Sequence, residues 1–225
     1  MKTIIITGTS RGIGAELVKQ FAAEGYTIIS LSRNSNPELE NLPNVYYKSV
    51  DLSNDASVAA FAVELKDQFK NIDILIHNAG TIINKPFAEI SSADFEYVYK
   101  VNVFGVAALS RAVLPLMTNG SHVVTISSMG GIQGSSKFPG LAAYSSSKGA
   151  VITLSELLAE EYKEQGVAFN VLALGAVQTE MLQEAFPGYQ APIYPNEMAV
   201  YIKDFALNGN RFFNGKVLEV SSSTP

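Results

Sequence analysis

The chain has 225 residues, 47% of them hydrophobic and 16% charged, with a formal net charge of −5. That length and composition fit one compact domain spanning residues 1–225 and exclude a disordered chain, while the negative balance offers no general attraction for nucleic acid. The absence of cysteine removes disulfides, thiol chemistry and thiolate metal sites, and the two separated histidines, His77 and His122, do not make a structural zinc site, so no metal is expected.

In chain order, the β-branched runs KTIIIT, YTIISL, VYYKSV, IDILIH, HVVTIS, AFNVLAL and KVLEV predict seven strands. Between them lie segments with apolar residues at helical spacing, among them AELVKQFAAEG, DASVAAFAVELKDQF and YVYKVNVFGVAALSRAVLPLM. Strands this continuously apolar are buried on both faces, so the alternation predicts a doubly wound parallel α/β sheet of about seven strands, flanked by helices on both faces. The connection after YTIISL carries Pro37 and Pro43 and leaves room for little helix. No stretch approaches the ~18 apolar residues of a membrane span. The start MKTIIITG is broken by Gly8, Ser10 and Arg11 before it resembles a secretory leader, so a cytoplasmic protein is the expectation.

The first strand runs into GTSRGIG (8–14) and then into a helix. A glycine-rich turn at that place lets backbone N–H groups approach a pyrophosphate at the positive end of a helix. Gly8, Ser10, Arg11, Gly12, Ile13 and Gly14 are therefore candidate cofactor residues, although Gly8, Gly12 and Gly14 depart from the common G-x-G-x-x-G spacing. At the end of the second strand, LSRN places Ser32 and Arg33 where an acidic residue would accept hydrogen bonds from the 2′-hydroxyl of NAD. A guanidinium suits a 2′-phosphate instead, and Arg11, inside the glycine turn, is placed to reach the same phosphate, which favours NADP(H). Farther on, AAYSSSKGA puts Tyr144 and Lys148 four residues apart, on one face of a helix. A fixed ammonium beside a phenol favours the phenolate, so Lys148 is expected to lower the titration point of Tyr144 and fit it for proton exchange.

TGTSRGIG, HNAG (77–80), KVNVFG (100–105), ISS (126–128), YSSSK (144–148) and LGAVQTEM (174–181) together resemble, in order, the motifs of the short-chain dehydrogenase/reductase family, over nearly the whole chain. The resemblance implies a Rossmann-like fold and NADP(H)-dependent carbonyl reduction, reversible as alcohol oxidation. It implies that Tyr144 is the proton donor, that Lys148 holds the nicotinamide ribose, that Ser128 binds the substrate oxygen and that Asn102 orders a proton-relay water. By the same resemblance Asn78, Ala79 and Gly80 line the adenosine and ribose side, and Asp51 and Leu52 contact adenine. Val177 and Thr179 anchor the carboxamide, and a homodimer or homotetramer is the expected assembly.

The chain also departs from the family pattern. Ser128 stands sixteen residues before Tyr144, a longer interval than usual, which makes MGGIQGSSKFPGLAA a longer loop beside the substrate. Leu174 replaces a proline and is expected to loosen the turn that follows. Few residues separate Met181 from Pro195, so a short lid should leave an open cleft lined by Ile132, Phe138, Met181, Phe186 and Tyr189. The ending KVLEVSSSTP lacks the usual aspartate and paired glycines, which bears on the assembly. A modest-sized ketone or aldehyde of apolar or aromatic character is the expected substrate. Acyl-carrier-bound 3-oxo groups fit less well, because LMTNGSH (116–122) offers no basic cluster for an acidic carrier. The alternative from another class is a protein that binds NADP(H) as a sensor or scaffold without turnover.

Overall fold

The computed structural model describes residues 1–221; the last four residues of the atypical ending lie outside the described residues. The described residues form seven strands: β1 (Thr3–Thr7), β2 (Thr27–Ser32), β3 (Val45–Ser49), β4 (Ile74–His77), β5 (His122–Ser128), β6 (Ala168–Leu174) and β7 (Lys216–Val220). They form one parallel sheet in the order β3-β2-β1-β4-β5-β6-β7. The order reverses between β1 and β4, and a doubly wound sheet opens its crevice at such a point, beyond the carboxyl ends of the strands.

Period-two alternation within the strands splits the core into two halves. Ile4 and Ile6 of β1 face a cluster with Leu17, Val18 and Phe21 of α1 (Gly12–Ala23) and Ile202 and Phe205 of α8 (Pro195–Asn208). Ile5 faces the opposite cluster, with Phe61 and Leu65 of α3 (Asp55–Gln68), Leu109 and Val113 of α5 (Gly105–Val113) and Ala159 of α6 (Ala142–Glu161). The expected short connection after β2 is the single turn α2 (Pro37–Glu40), capped by Asn36 with Pro37 in its first turn.

The long apolar pattern before β5 folds as α4 (Ser92–Tyr99) running into α5 through a π turn over Lys100–Phe104. Such a turn inserts one extra residue into a helix and often marks a functional position; here it contains Asn102. Leu174 does not loosen its turn. It completes the β6 ladder between Ser128 and Val220, and Gly175 N donates to the Val220 carbonyl at 2.9 Å.

Both histidines are buried in the core, so neither faces solvent. The Nδ1–H of His122 donates to the Ala206 carbonyl at 3.0 Å, leaving Nε2 to accept from Asn170 Nδ2 at 3.0 Å. His77 Nε2 lies 2.9 Å from Ser110 Oγ, and its Nδ1 has no partner among the described residues. Burial pushes His122 down to about 4 and, with the nearby charge of Lys148, His77 down to about 3. A depressed histidine contributes stability that is fully present above its unfolded value near 6.5. That contribution is lost as pH falls through the window toward 4 for His122 and toward 3 for His77. The urea midpoint should therefore hold steady above pH 7 and decline between pH 6 and 4, with a shallower decline in His77→Asn; an unchanged slope in that variant would remove His77 from the account.

Candidate active site

The carboxyl ends of β1, β4, β5 and β6 border a cavity of about 500 Å³. At one end lies the glycine-rich turn. Gly8 has φ +72°, and a Cβ there would stand 2.7 Å from the Ala79 Cα, so only glycine lets the turn approach β4 so closely. α1 starts at Gly12 with no side-chain cap and no acidic residue in its first turn, and Gly12 and Ile13 line the cavity. Uncapped N–H groups at a positive helix end fit a phosphate. Gly14 does not line the cavity; a Cβ there would lie 2.1 Å from the Gly8 carbonyl oxygen, so its part is to let the turn close on itself.

Of the other residues singled out by sequence, Ser10, Arg11, Ser32, Arg33, Asp51, Leu52, Asn78, Ala79, Gly80, Ser128, Tyr144, Lys148, Val177 and Thr179 all line this cavity. Several have local duties as well. Asn78 Nδ2 donates to the Thr7 and Gly8 carbonyls at 2.9 and 3.2 Å and braces the turn. Asp51 Oδ1 accepts from Ser53 N and Oγ, while the Thr179 hydroxyl caps α7 (Glu180–Ala185) by accepting from Leu182 N at 3.2 Å. Arg33 Nη1 donates to the Tyr97 hydroxyl at 3.0 Å, and Tyr97, also at the cavity wall, gave no signal in the sequence beyond an apolar helical pattern. Arg11 makes a two-pronged ion pair with Glu184 on α7, its second contact 3.0 Å. Neither arginine stands idle.

At the other end, α6 brings Tyr144 and Lys148 to the wall formed by Ser128. The Lys148 ammonium is buried, donates to the Ile126 carbonyl at 2.8 Å and lies 5.7 Å from the centre of the Tyr144 ring. Burial lowers Lys148 to about 8. Burial raises Tyr144, and a hydrogen bond with Ser128 offsets part of that rise. The expected lowering of the phenol by Lys148 is thus not what the structure displays: loss of solvent dominates, and the ammonium is turned onto a backbone carbonyl.

Asn102 does not reach the cavity wall but braces it from behind. Its Oδ1 accepts from Thr81 N at 2.8 Å, and its Nδ2 donates to the Thr81 carbonyl at 3.0 Å and to Ser147 Oγ at 2.9 Å. Ser147 Oγ in turn donates to the Tyr144 carbonyl at 2.7 Å. Ser147 was invisible as a functional residue because three consecutive serines precede Lys148, and nothing in a string of serines says which one faces inward.

The short lid, α7 and the segment after it, is tied at two places: Arg11 joins α7 to the glycine turn, and Asn84 Nδ2 joins it to the segment after β4 by donating to the Ala185 carbonyl at 2.9 Å. Phe138, Met181, Phe186 and Tyr189 line the cavity as expected, but Ile132 does not; its carbonyl faces its own loop and accepts from Ser135 Oγ and Lys137 Nζ.

Comparison with known proteins agrees with this geometry. The family model described as short chain dehydrogenase matches residues 2–190. An NADPH-dependent pterin aldehyde reductase of Arabidopsis thaliana is 34% identical over 97% of this chain and 93% of its own. The oxidoreductase UcpA of Escherichia coli (strain K12) is 33% identical over 81% of this chain and 72% of its own. Among solved structures, a 4-hydroxyisoleucine dehydrogenase complexed with NADH superposes with a TM-score of 0.90, at 25% identity, over 99% of this chain and 98% of that one.

Asn102→Ala removes three hydrogen bonds at a buried position and strands both backbone groups of Thr81. It should lower the unfolding free energy by about 2 kcal/mol in urea titration; a loss indistinguishable from zero would mean water replaces the amide there without cost.

Proposed function

Because the chain belongs to the short-chain dehydrogenase family, it is an oxidoreductase, and we propose that it uses NADPH to reduce a small ketone or aldehyde to the alcohol, reversibly, with Tyr144 as proton donor. The observation that carries this reading is the convergence of Ser128, Tyr144 and Lys148 at one end of a cavity whose other end is an uncapped helix N-terminus. The cofactor supplies and accepts the hydride; the protein contributes binding, orientation and proton traffic. Gly8, Gly12 and Ile13 would hold the pyrophosphate, and Arg33 and Arg11 the 2′-phosphate, there being no acid at the end of β2 to repel it. The Arabidopsis relative, named as NADPH-dependent, supports that preference and supports aldehydes as substrates.

Ser128 and Tyr144 hydroxyls would grip the carbonyl oxygen, and the proton leaves Tyr144 Oη as the oxygen gains negative charge. Burial keeps that phenol protonated at neutral pH, which suits the reductive direction. Lys148, cationic below about 8, would hold the nicotinamide ribose and stabilise the phenolate left behind. Asn102 and Ser147 keep the first turns of α6 in place while this happens.

Absorbance at the reduced nicotinamide band, read across ketones, diketones and aldehydes, should fall with NADPH and hardly at all with NADH. In Tyr144→Phe, NADPH binding should persist while turnover drops by roughly 10²–10⁴. Near-normal turnover in that variant would assign the proton to another group, and tight NADPH binding without turnover on any carbonyl would turn the reading to a sensor. The pH profile carries a separate prediction. Reduction should decline as pH rises through about 8, where Lys148 loses its proton, and alcohol oxidation, which needs the phenolate, should have its optimum at higher pH than reduction. Coincident optima for the two directions would contradict these assignments.

A further inference from the structure

We infer that Phe138 and Phe186 form a clamp for planar, uncharged aryl carbonyl compounds, and that Asn84 is the crossbar that sets its aperture; the inference rests on the reductase reading, whose cavity it shares. Phe138 belongs to the loop between Ser128 and Tyr144, and Phe186 ends α7, so the two rings come from the segments that flank the proton donor on opposite sides. Both line the cavity with Tyr144, and their centroids stand 6.5 Å apart at an interplanar angle of 68°.

Asn84 touches the support of each ring. Its Nδ2 donates to the carbonyl of Ala185, the residue before Phe186. Its Oδ1 occupies the space a side chain would need at Gly140, two residues after Phe138: a Cβ there would lie 2.0 Å from that oxygen. Gly140 has φ +89°, and its carbonyl accepts from Lys85 N at 3.0 Å, so the loop is fastened to the same segment a second time. The sequence pattern gave no warning of Asn84, which lies in a stretch without regular structure. Its amide joins two segments otherwise far apart in the chain, so its reach decides how far apart the rings sit.

Size and charge then select the occupant. Carbon atoms in contact are about 3.5–4 Å apart, so a flat ring held between two faces needs them about 7 Å apart. At 6.5 Å and 68° the rings pack edge to face on each other, so the clamp is closed on itself; turning one ring parallel to the other with a small outward shift opens a slot that admits a planar group, whereas a branched or saturated one needs a wider gap. Leu141, Met181 and Leu182 complete an apolar lining. The cations on the cavity wall, among the described residues, are Arg11, Arg33 and Lys148, engaged by Glu184, Tyr97 and the Ile126 carbonyl. Lys85, beside the crossbar, is paired with Asp94 at 2.9 Å, and Lys137, beside Phe138, donates to the Ile132 carbonyl at 2.6 Å. Glu180 on the lining adds negative charge. A carboxylate on the substrate would have to draw Arg11, Arg33 or Lys148 away from the cofactor groups assigned to them above, or Lys137 away from its own loop, so an uncharged compound is favoured.

The test compares benzaldehyde, heptanal and 4-carboxybenzaldehyde as substrates with NADPH, and benzyl alcohol as a ligand followed by ligand-observed NMR in the presence of NADPH. Benzaldehyde should exceed the other two in kcat/KM by roughly tenfold, the scale of one good aromatic contact. In Phe186→Leu the benzaldehyde-to-heptanal ratio should fall by about the same factor, while Phe186→Tyr keeps it. Asn84→Ala should raise KM for benzaldehyde far more than it changes kcat, with NADPH affinity at its wild-type value as the check on folding. A ratio unmoved by Phe186→Leu and Asn84→Ala, or a wild-type preference for heptanal, would overturn the clamp. The two readings fail separately: absent turnover with benzyl alcohol binding that Phe186→Leu abolishes would retain the clamp and sink the reductase reading. Binding indifferent to both variants sinks the clamp whatever the turnover.

Discussion

The buried ammonium of Lys148 is the charge to which the rest of the site is fitted. It is only 5% exposed, and among the described residues its one hydrogen-bond acceptor is the carbonyl of Ile126. Taking a charge out of water without a counter-ion is costly, and the fold bears that cost in the depressed titration of the group. Close approach makes the placement possible. A Cβ at Gly131 would come within 2.7 Å of the Lys148 backbone, so glycine there lets α6 settle against the end of β5. Ser127 Oγ donates to the Lys148 carbonyl at 2.9 Å, fixing the helix from the sheet side. The same charge reaches His77 and helps keep it neutral.

From that fixed point the polar connections run outward in a chain. Asn102, placed inward by the π turn, holds Thr81 on one side and Ser147 on the other, and Ser147 holds the carbonyl of Tyr144. The Tyr144 phenol is therefore located by buried, fully partnered groups rather than by its own hydroxyl alone. Networks of this kind are worth more than isolated surface contacts because low dielectric strengthens each bond and makes each omission expensive.

The lid is built on the opposite principle. No residue of α7 is buried, and its ties are the exposed Arg11–Glu184 pair and the amide of Asn84. An exposed ion pair contributes little because water screens it, so α7 belongs with the weakly held parts of the fold, where opening costs little. The core pins Tyr144; the rim is held by a few exposed contacts.

The parallel sheet, its seven strands and the helices on both faces were legible in the sequence, because β-branched apolar runs buried on two faces and helical periods between them have few other solutions. That the glycine turn, Tyr144 and Lys148 share one cavity was legible too, since close backbone approach and an i, i+4 pair depend on local spacing, whereas Ser128 was reached only through the resemblance. What was misread depended on partners distant in the chain. Gly14 faces Gly8 rather than the cavity, Leu174 is held by β5 and β7, and burial raises Tyr144 where a neighbouring charge was expected to lower it. Spacing along the chain determined which residues share a face; only tertiary contact decided what faces them, because desolvation and hydrogen-bond partners belong to the packed surroundings and not to the residue.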